Sequence, residues 1–119
     1  EVELERLAKK VCGLRLFEQD ENDIHNNLWK KSIKDVNGEI LSVSQFTLYA
    51  KTKKGTKPDF HRSQKSELAN PLYEKFLELL RKELGKNELV KDGKFGGMMS
   101  CALTNEGPCT IILDTEEAA

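Results

Sequence analysis

Glu39-Ile40-Leu41-Ser42-Val43-Ser44-Gln45-Phe46-Thr47-Leu48-Tyr49 is the stretch on which the fold turns. It is rich in β-forming residues and follows the turn signal Asn37-Gly38, so residues 39–49 are predicted to form a strand. Residues 32–36 could pair with it as a hairpin. Hydroxyl and amide groups interrupt the run, yet Ser42, Ser44 and Phe46 against Val43, Gln45 and Thr47 do not divide it cleanly into a wet and a dry face. Polar groups within a buried strand must find partners, which makes 42–48 unusual on physical grounds.

Working outward, Leu4, Leu7, Val11 and Leu14 recur at three- and four-residue steps and predict a helix over 2–12 that ends near Gly13. Residues 15–18 read as a short strand and 19–27 as a polar loop. On the other side, 51–63 is mostly Lys, Thr, Gly, Pro and Asp with no period, which predicts a long exposed loop of the kind that often carries function. Leu68, Leu72, Phe76, Leu79 and Leu80 predict a second helix with Asn70-Pro71 inside or at its start, ending near Gly85. Residues 98–103 and 109–113 read as two more strands around Thr104-Asn105-Glu106-Gly107-Pro108. The order helix, strands, helix, strands predicts an α+β fold: a mainly antiparallel sheet of about four or five strands with two helices. A second subunit or further N-terminal residues should cover the edge of such a sheet.

With 119 residues, one domain over 1–119 is expected. Charged residues make up 33% and hydrophobic residues 38%, a globular balance. Apolar runs are far too short to cross a bilayer and no charged-then-apolar leader opens the sequence, so a cytoplasmic protein with no membrane partner is expected. Cys12, Cys101 and Cys109 form no CxxC pair and are expected as buried thiols rather than disulfides or metal ligands. Net charge is −1, but Lys51, Lys53, Lys54, Lys57, His61, Arg62 and Lys65 cluster around a single acid, Asp59. That run is either a solvated loop or a phosphate-contacting patch. Glu1 opens directly on a helical pattern, so an N-terminal piece is expected to precede it.

The sequence holds no HExxH, nucleophile elbow, phosphate-binding glycine loop or metal-spaced His/Cys set, and neither a metal nor a cofactor is expected. His25 and His61 read as ordinary surface histidines. Gly107-Pro108 sits immediately before a predicted strand and reads as a plain hairpin turn, since X–Pro bonds are cis in only about 5–6% of cases.

Two motifs carry a family resemblance. Ser44-Gln45-Phe46-Thr47-Leu48 resembles the SQFTL motif, and Asn105-Glu106-Gly107-Pro108-Cys109-Thr110 the NxGPxT motif, of D-aminoacyl-tRNA deacylases. The resemblance runs from residue 1 to about 114 through Leu14-Arg15-Leu16-Phe17-Glu18, Asn37-Gly38-Glu39-Ile40-Leu41, Thr56-Lys57-Pro58-Asp59-Phe60 and Pro71-Leu72-Tyr73, and is nearest to eukaryotic, fungal-like members. It implies that family's fold, here a partial barrel lacking its N-terminal strands, in a homodimer with sites at the subunit interface.

By the same resemblance the chain would hydrolyse the ester of D-aminoacyl-tRNA, with glycine mischarged on tRNA-Ala as a further candidate substrate. Gly107-Pro108, joined by a cis bond, would project into the partner's site and capture the α-amino group with backbone carbonyls. Gln45, Phe46 and Thr47 would form the catalytic stretch, with Phe46 and Thr47 N–H groups as oxyanion donors. Ser44, Asn105 and Thr110 would contact substrate, while Phe95 and Met99 flank the terminal adenosine. No base adjoins Thr47 in sequence, and an unassisted hydroxyl is a weak nucleophile. Catalysis is therefore expected to lean on the 2′-hydroxyl of the tRNA's terminal ribose. Lys51, Lys53, Lys54, Lys57 and Arg62 would meet the tRNA backbone.

A nucleic-acid-binding protein without catalysis is the competing expectation, which a basic C-terminal tail would favour; Asp114, Glu116 and Glu117 make this tail acidic. A relative that removes L-alanine would require altered motif residues, and SQFTL is intact.

Overall fold

The computed structural model describes residues 2–18 and 29–116, so the polar loop expected over 19–27 lies outside the described residues. Helix α1, Val2–Gly13, has Glu3 and Glu5 in its first turn and Lys10 in its last, each placed favourably for the helix dipole. Its buried centre is Ala8 and Cys12, one turn apart, with Leu4, Leu7 and Val11 half-buried beside them. The predicted stripe therefore has the right direction, but two small residues occupy its middle and leave room for the second helix.

That helix, α2, spans Ser66–Leu84 and buries Leu77 and Leu80. Lys65 caps it with an extended backbone, and Pro71 lies inside it, the first of the two placements expected. Leu68 and Leu72 are exposed, so the first half of the expected stripe misses the core. The helix stops at Gly85, whose φ of 83° lets its N–H reach the Arg81 carbonyl at 2.9 Å. Ala8, Cys12, Leu77, Leu80 and Val90 form the core, ringed by Val11, Ile33, Ile40, Tyr73, Phe76, Leu79 and Leu84.

Beneath the helices lie two short strands, β1 (Ile40–Ser42) and β2 (Val90–Asp92), paired in parallel with Ile40 opposite Val90 and Ser42 opposite Asp92. This corrects the mainly antiparallel sheet and partial barrel. The physical reason is the connection: α2 lies between the strands, and a helix-bearing crossover returns the chain in the same direction. Arg81 ties helix to sheet by donating from Nη2 to the Val90 carbonyl at 3.2 Å.

Four other expectations are corrected. Residues 98–103 and 109–113 form no ladder among the described residues; a strand exists through a neighbour's hydrogen bonds, and none lies alongside them. Cys101 and Cys109, which lie there, are consequently exposed, and only Cys12 is buried. Burial, reinforced by Glu83 and opposed by Lys34, pushes the Cys12 thiol up from its ordinary value. The proposed hairpin partner 32–36 folds as a turn. The Ser32 N–H donates to Asp35 Oδ2 at 2.9 Å and the Asp35 N–H to Ser32 Oγ at 3.3 Å, a reciprocal pair that replaces ladder bonds. Asn37 takes the positive φ of 55° there, while Gly38 supplies room, since a Cβ would sit 2.8 Å from Ile33 Cγ1. The expected strand over 15–18 is one antiparallel bridge, Phe17 to Lys31. No helix among the described residues is long and apolar enough to cross a membrane.

Candidate functional site

Parallel strands place both carboxyl ends at one edge, so the segments leaving β1 and β2 start side by side. The ladder continues one step beyond the strands, where the Gly93 N–H donates to the Ser42 carbonyl at 3.2 Å. Tyr73 of α2 joins the two exits. Its hydroxyl donates to Ser42 Oγ at 2.9 Å, and its ring lies 5.6 Å from that of Phe95, tilted by 39°. Burial raises the Tyr73 hydroxyl above its usual pKa, with the Ser42 bond acting the other way. Beyond Phe95 the chain bends back, and Met99 Sδ accepts the Lys94 N–H at 3.4 Å. Met99 packs close over Gly93, where an added Cβ would lie 2.8 Å from the sulfur and push the flexible end of the side chain aside. Tyr73 and Gly93 carried no site role in the sequence reading; their signal was a polar aromatic on the core stripe and a glycine at a strand end.

Residues 43–49 do not continue the strand. After Gln45, with φ −152° and ψ 101°, the chain tightens into a 3-10 turn, Phe46–Tyr49. The failed alternation noted above is explained: these residues face outward from a turn, with Phe46, Thr47 and Leu48 exposed and Ser44 half-buried. Gln45 Nε2 donates to Thr47 Oγ1 at 2.7 Å. The first N–H groups of any such turn have no carbonyl one turn earlier to receive them. Phe46 is contacted from the far side by the Phe60 ring, edge-on at 5.1 Å and 69°, and by Ser63, whose hydroxyl donates to the Phe46 carbonyl at 2.9 Å.

The long basic loop has a closed neck. Lys51 and Asp59 exchange backbone bonds of 2.7 and 2.9 Å, so Lys53, Lys54 and Lys57 ride exposed on the enclosed segment, with Gly55 at φ 66°. Arg62 is exposed just beyond the neck. His61 is more tightly held than a surface histidine need be: its N–H donates to Asp59 Oδ1 at 2.9 Å and its Nδ1 lies 2.7 Å from Oδ2. The His61 backbone bond, then its ring, hold the Asp59 carboxyl below the ordinary value.

The Gly107–Pro108 peptide is cis, and Gly107 has φ 123°, a conformation closed to side chains. Asn105, Gly107, Pro108 and Thr110 are exposed, and among the described residues no hydrogen bond joins them to the Gln45–Thr47 stretch. The structure thus assembles Ser44, Gln45, Phe46 and Thr47 with Phe95 and Met99 at one end of the strand pair, the basic loop adjoining, and leaves the second motif outside. The chemistry on offer is that of neutral donors. Thr47 Oγ1 meets an amide that gives a hydrogen bond and takes no proton, a setting for holding charge on a substrate oxygen rather than making threonine a nucleophile.

The family model described as D-Tyr-tRNA(Tyr) deacylase matches residues 1–114. A Saccharomyces cerevisiae protein named D-aminoacyl-tRNA deacylase is 66% identical over 115 residues, 97% of this chain and 73% of that protein. A solved structure named c-Myc DNA Unwinding Element Binding Protein superposes with a TM-score of 0.78 at 48% identity, covering 91% of this chain and 68% of that one. Another, described as a probable eukaryotic D-amino acid tRNA deacylase, superposes with a TM-score of 0.75 over 88% of this chain and 70% of its own; at 20% identity it speaks for the fold alone. Matched almost end to end by the family model and by a relative this similar, the chain belongs to the D-Tyr-tRNA(Tyr) deacylase family.

Proposed function

We propose that this chain, as one domain over residues 1–119, hydrolyses the ester bond of D-aminoacyl-tRNA and releases the free D-amino acid and the tRNA. The observation that carries the reading is its 66% identity to the yeast D-aminoacyl-tRNA deacylase across 97% of its length.

In the mechanism that fits the site, water attacks the ester carbonyl, the carbonyl oxygen becomes an oxyanion, and the bond to the ribose 3′-oxygen breaks as that oxygen takes a proton. The N–H groups of Phe46 and Thr47 receive the oxyanion, and Gln45 and Thr47, bonded to each other, position the reacting ester. The ribose 2′-hydroxyl of the substrate assists the proton transfers, because the partner of Thr47 Oγ1 is the Gln45 side-chain amide, which takes no proton. Phe95 and Met99 flank the terminal adenosine, and Ser44 contacts substrate beside them. Lys51, Lys53, Lys54, Lys57 and Arg62 meet the phosphates further along the tRNA.

Chiral selection falls to Asn105, Gly107, Pro108 and Thr110, supplied in this reading by a second copy of the chain in a homodimer. A backbone wall whose carbonyls take the α-amino group meets every L side chain with the same clash and leaves D side chains free to vary. Exposed apolar residues of the same region, Met98, Leu103, Ile111 and Ile112, support burial against a partner. Such an enzyme works where aminoacyl-tRNA is made and used, in the cytoplasm. The test is release of tyrosine from D-Tyr-tRNA and L-Tyr-tRNA by the folded chain. D-selective release is expected; equal release from both, or none from either, would overturn the reading.

A further inference from the structure

The short turn Phe60-His61-Arg62-Ser63 touches Phe46 at two points. It is closed by the Ser63 N–H donating to the Phe60 carbonyl at 3.0 Å, which sets both side chains toward the same residue. Phe60 holds the Phe46 ring edge-on, and Ser63 donates its hydroxyl to the Phe46 carbonyl at 2.9 Å. The Phe46 carbonyl and the Thr47 N–H belong to one planar peptide, pointing in opposite directions. Whatever fixes the carbonyl oxygen therefore aims the Thr47 N–H. A carbonyl that accepts a hydrogen bond also polarises its peptide, making the N–H on the far side a better donor. The turn itself is braced, since Asp59 holds the His61 N–H and ring while its own backbone is locked to Lys51 across the loop neck.

We propose that Ser63 and Phe60 are positioning residues for the hydrolysis: Ser63 orients and polarises the peptide that presents the Thr47 amide to the oxyanion, and Phe60 fixes the ring beside it. This rests on the reading above in which the Thr47 amide receives the oxyanion. Neither residue touches the substrate. Their effect is on the transition state, where charge on the ester oxygen is largest, rather than on ground-state binding.

Ser63→Ala, Ser63→Thr and Phe60→Leu would be compared with the parent for kcat and KM on D-Tyr-tRNA, for the thermal midpoint, and for the NMR order parameter of the Thr47 N–H. Ser63→Ala is expected to lower kcat about tenfold with KM within about twofold, as one lost hydrogen bond felt only in the transition state would do. The Thr47 order parameter should fall from about 0.85 toward 0.6 with the midpoint unchanged, and Ser63→Thr should restore both readings. Phe60→Leu should lower kcat in the same sense. An unchanged kcat, a loss confined to KM, or an unchanged Thr47 order parameter in Ser63→Ala would overturn the proposal. Should the parent release no D-tyrosine, the functional reading fails on its own, and the order parameter still decides whether Ser63 holds the peptide.

Discussion

Replacing Thr47 with alanine distinguishes two mechanisms by size of effect. The Thr47 hydroxyl is exposed, and its hydrogen-bond partner is the Gln45 side-chain amide at 2.7 Å. An amide nitrogen donates and does not accept, so it pulls density from Oγ1 instead of removing its proton. Alanine therefore removes one neutral hydrogen bond, about 0.5–1.5 kcal/mol, and leaves the Gln45 amide to water. The expected loss in the chemical step is about two- to tenfold. Removing a true nucleophile would cost on the order of 10⁴- to 10⁶-fold. Single-turnover release of D-tyrosine from D-Tyr-tRNA, measured for the parent, Thr47→Ala and Thr47→Ser with tRNA binding and thermal midpoint as controls, spans that range. A loss beyond about 10³-fold in Thr47→Ala with binding and midpoint intact would refute the reasoning and restore threonine to the chemistry.

Leu77, 1% exposed between the helices, should cost about 3 kcal/mol as alanine, lowering the thermal midpoint by about 10 °C; a drop under about 2 °C would mean the helix interface is not the core. Changing Lys51, Lys53 and Lys54 to alanine should weaken tRNA binding evenly across tRNA sequences and reduce the salt slope by about 2–3; an unchanged slope would remove the loop from the interface. The Asp59 carboxyl has its pKa lowered by His61, so its bond stabilises the loop above the ordinary carboxylate pKa and is lost as pH falls through the lowered value. The His61 amide NMR shift should follow that titration and go flat in Asp59→Asn; titration at the ordinary carboxylate value would show the bond is not held in solution.

Helix α1 was legible because a surface helix states its buried face in sequence, and α2 because Gly85 marks its end. Strand direction was not. Three-residue strands such as Ile40–Ser42 are too short for alternation to register, and the informative feature was the helix between β1 and β2 rather than anything within them. Residues 42–48 stood out as a strand that would not sort its polar residues, which is how a strand giving way to a turn reads before its end is known. Residues 98–113 read as strands because Met98, Leu103, Ile111 and Ile112 have that character, but apolar character proposes a strand and only a neighbour makes one. His61 reads in sequence as an ordinary surface histidine and Asp59 only as the acid among the lysines, although a carboxylate two residues before a backbone N–H is a recognisable local turn.

The neck of two backbone bonds between Lys51 and Asp59 has an evolutionary consequence. Because both ends of the basic segment are pinned to each other, residues added or removed between them do not displace Phe60, Ser63 or the turn they hold. Doubling the length of a closed loop costs only about 0.6 kcal/mol in chain entropy. If the basic segment meets the tRNA as proposed, it can drift in length and charge from lineage to lineage while the turn against Phe46 stays fixed, so that affinity and chemistry would be separately tunable on one short stretch of chain.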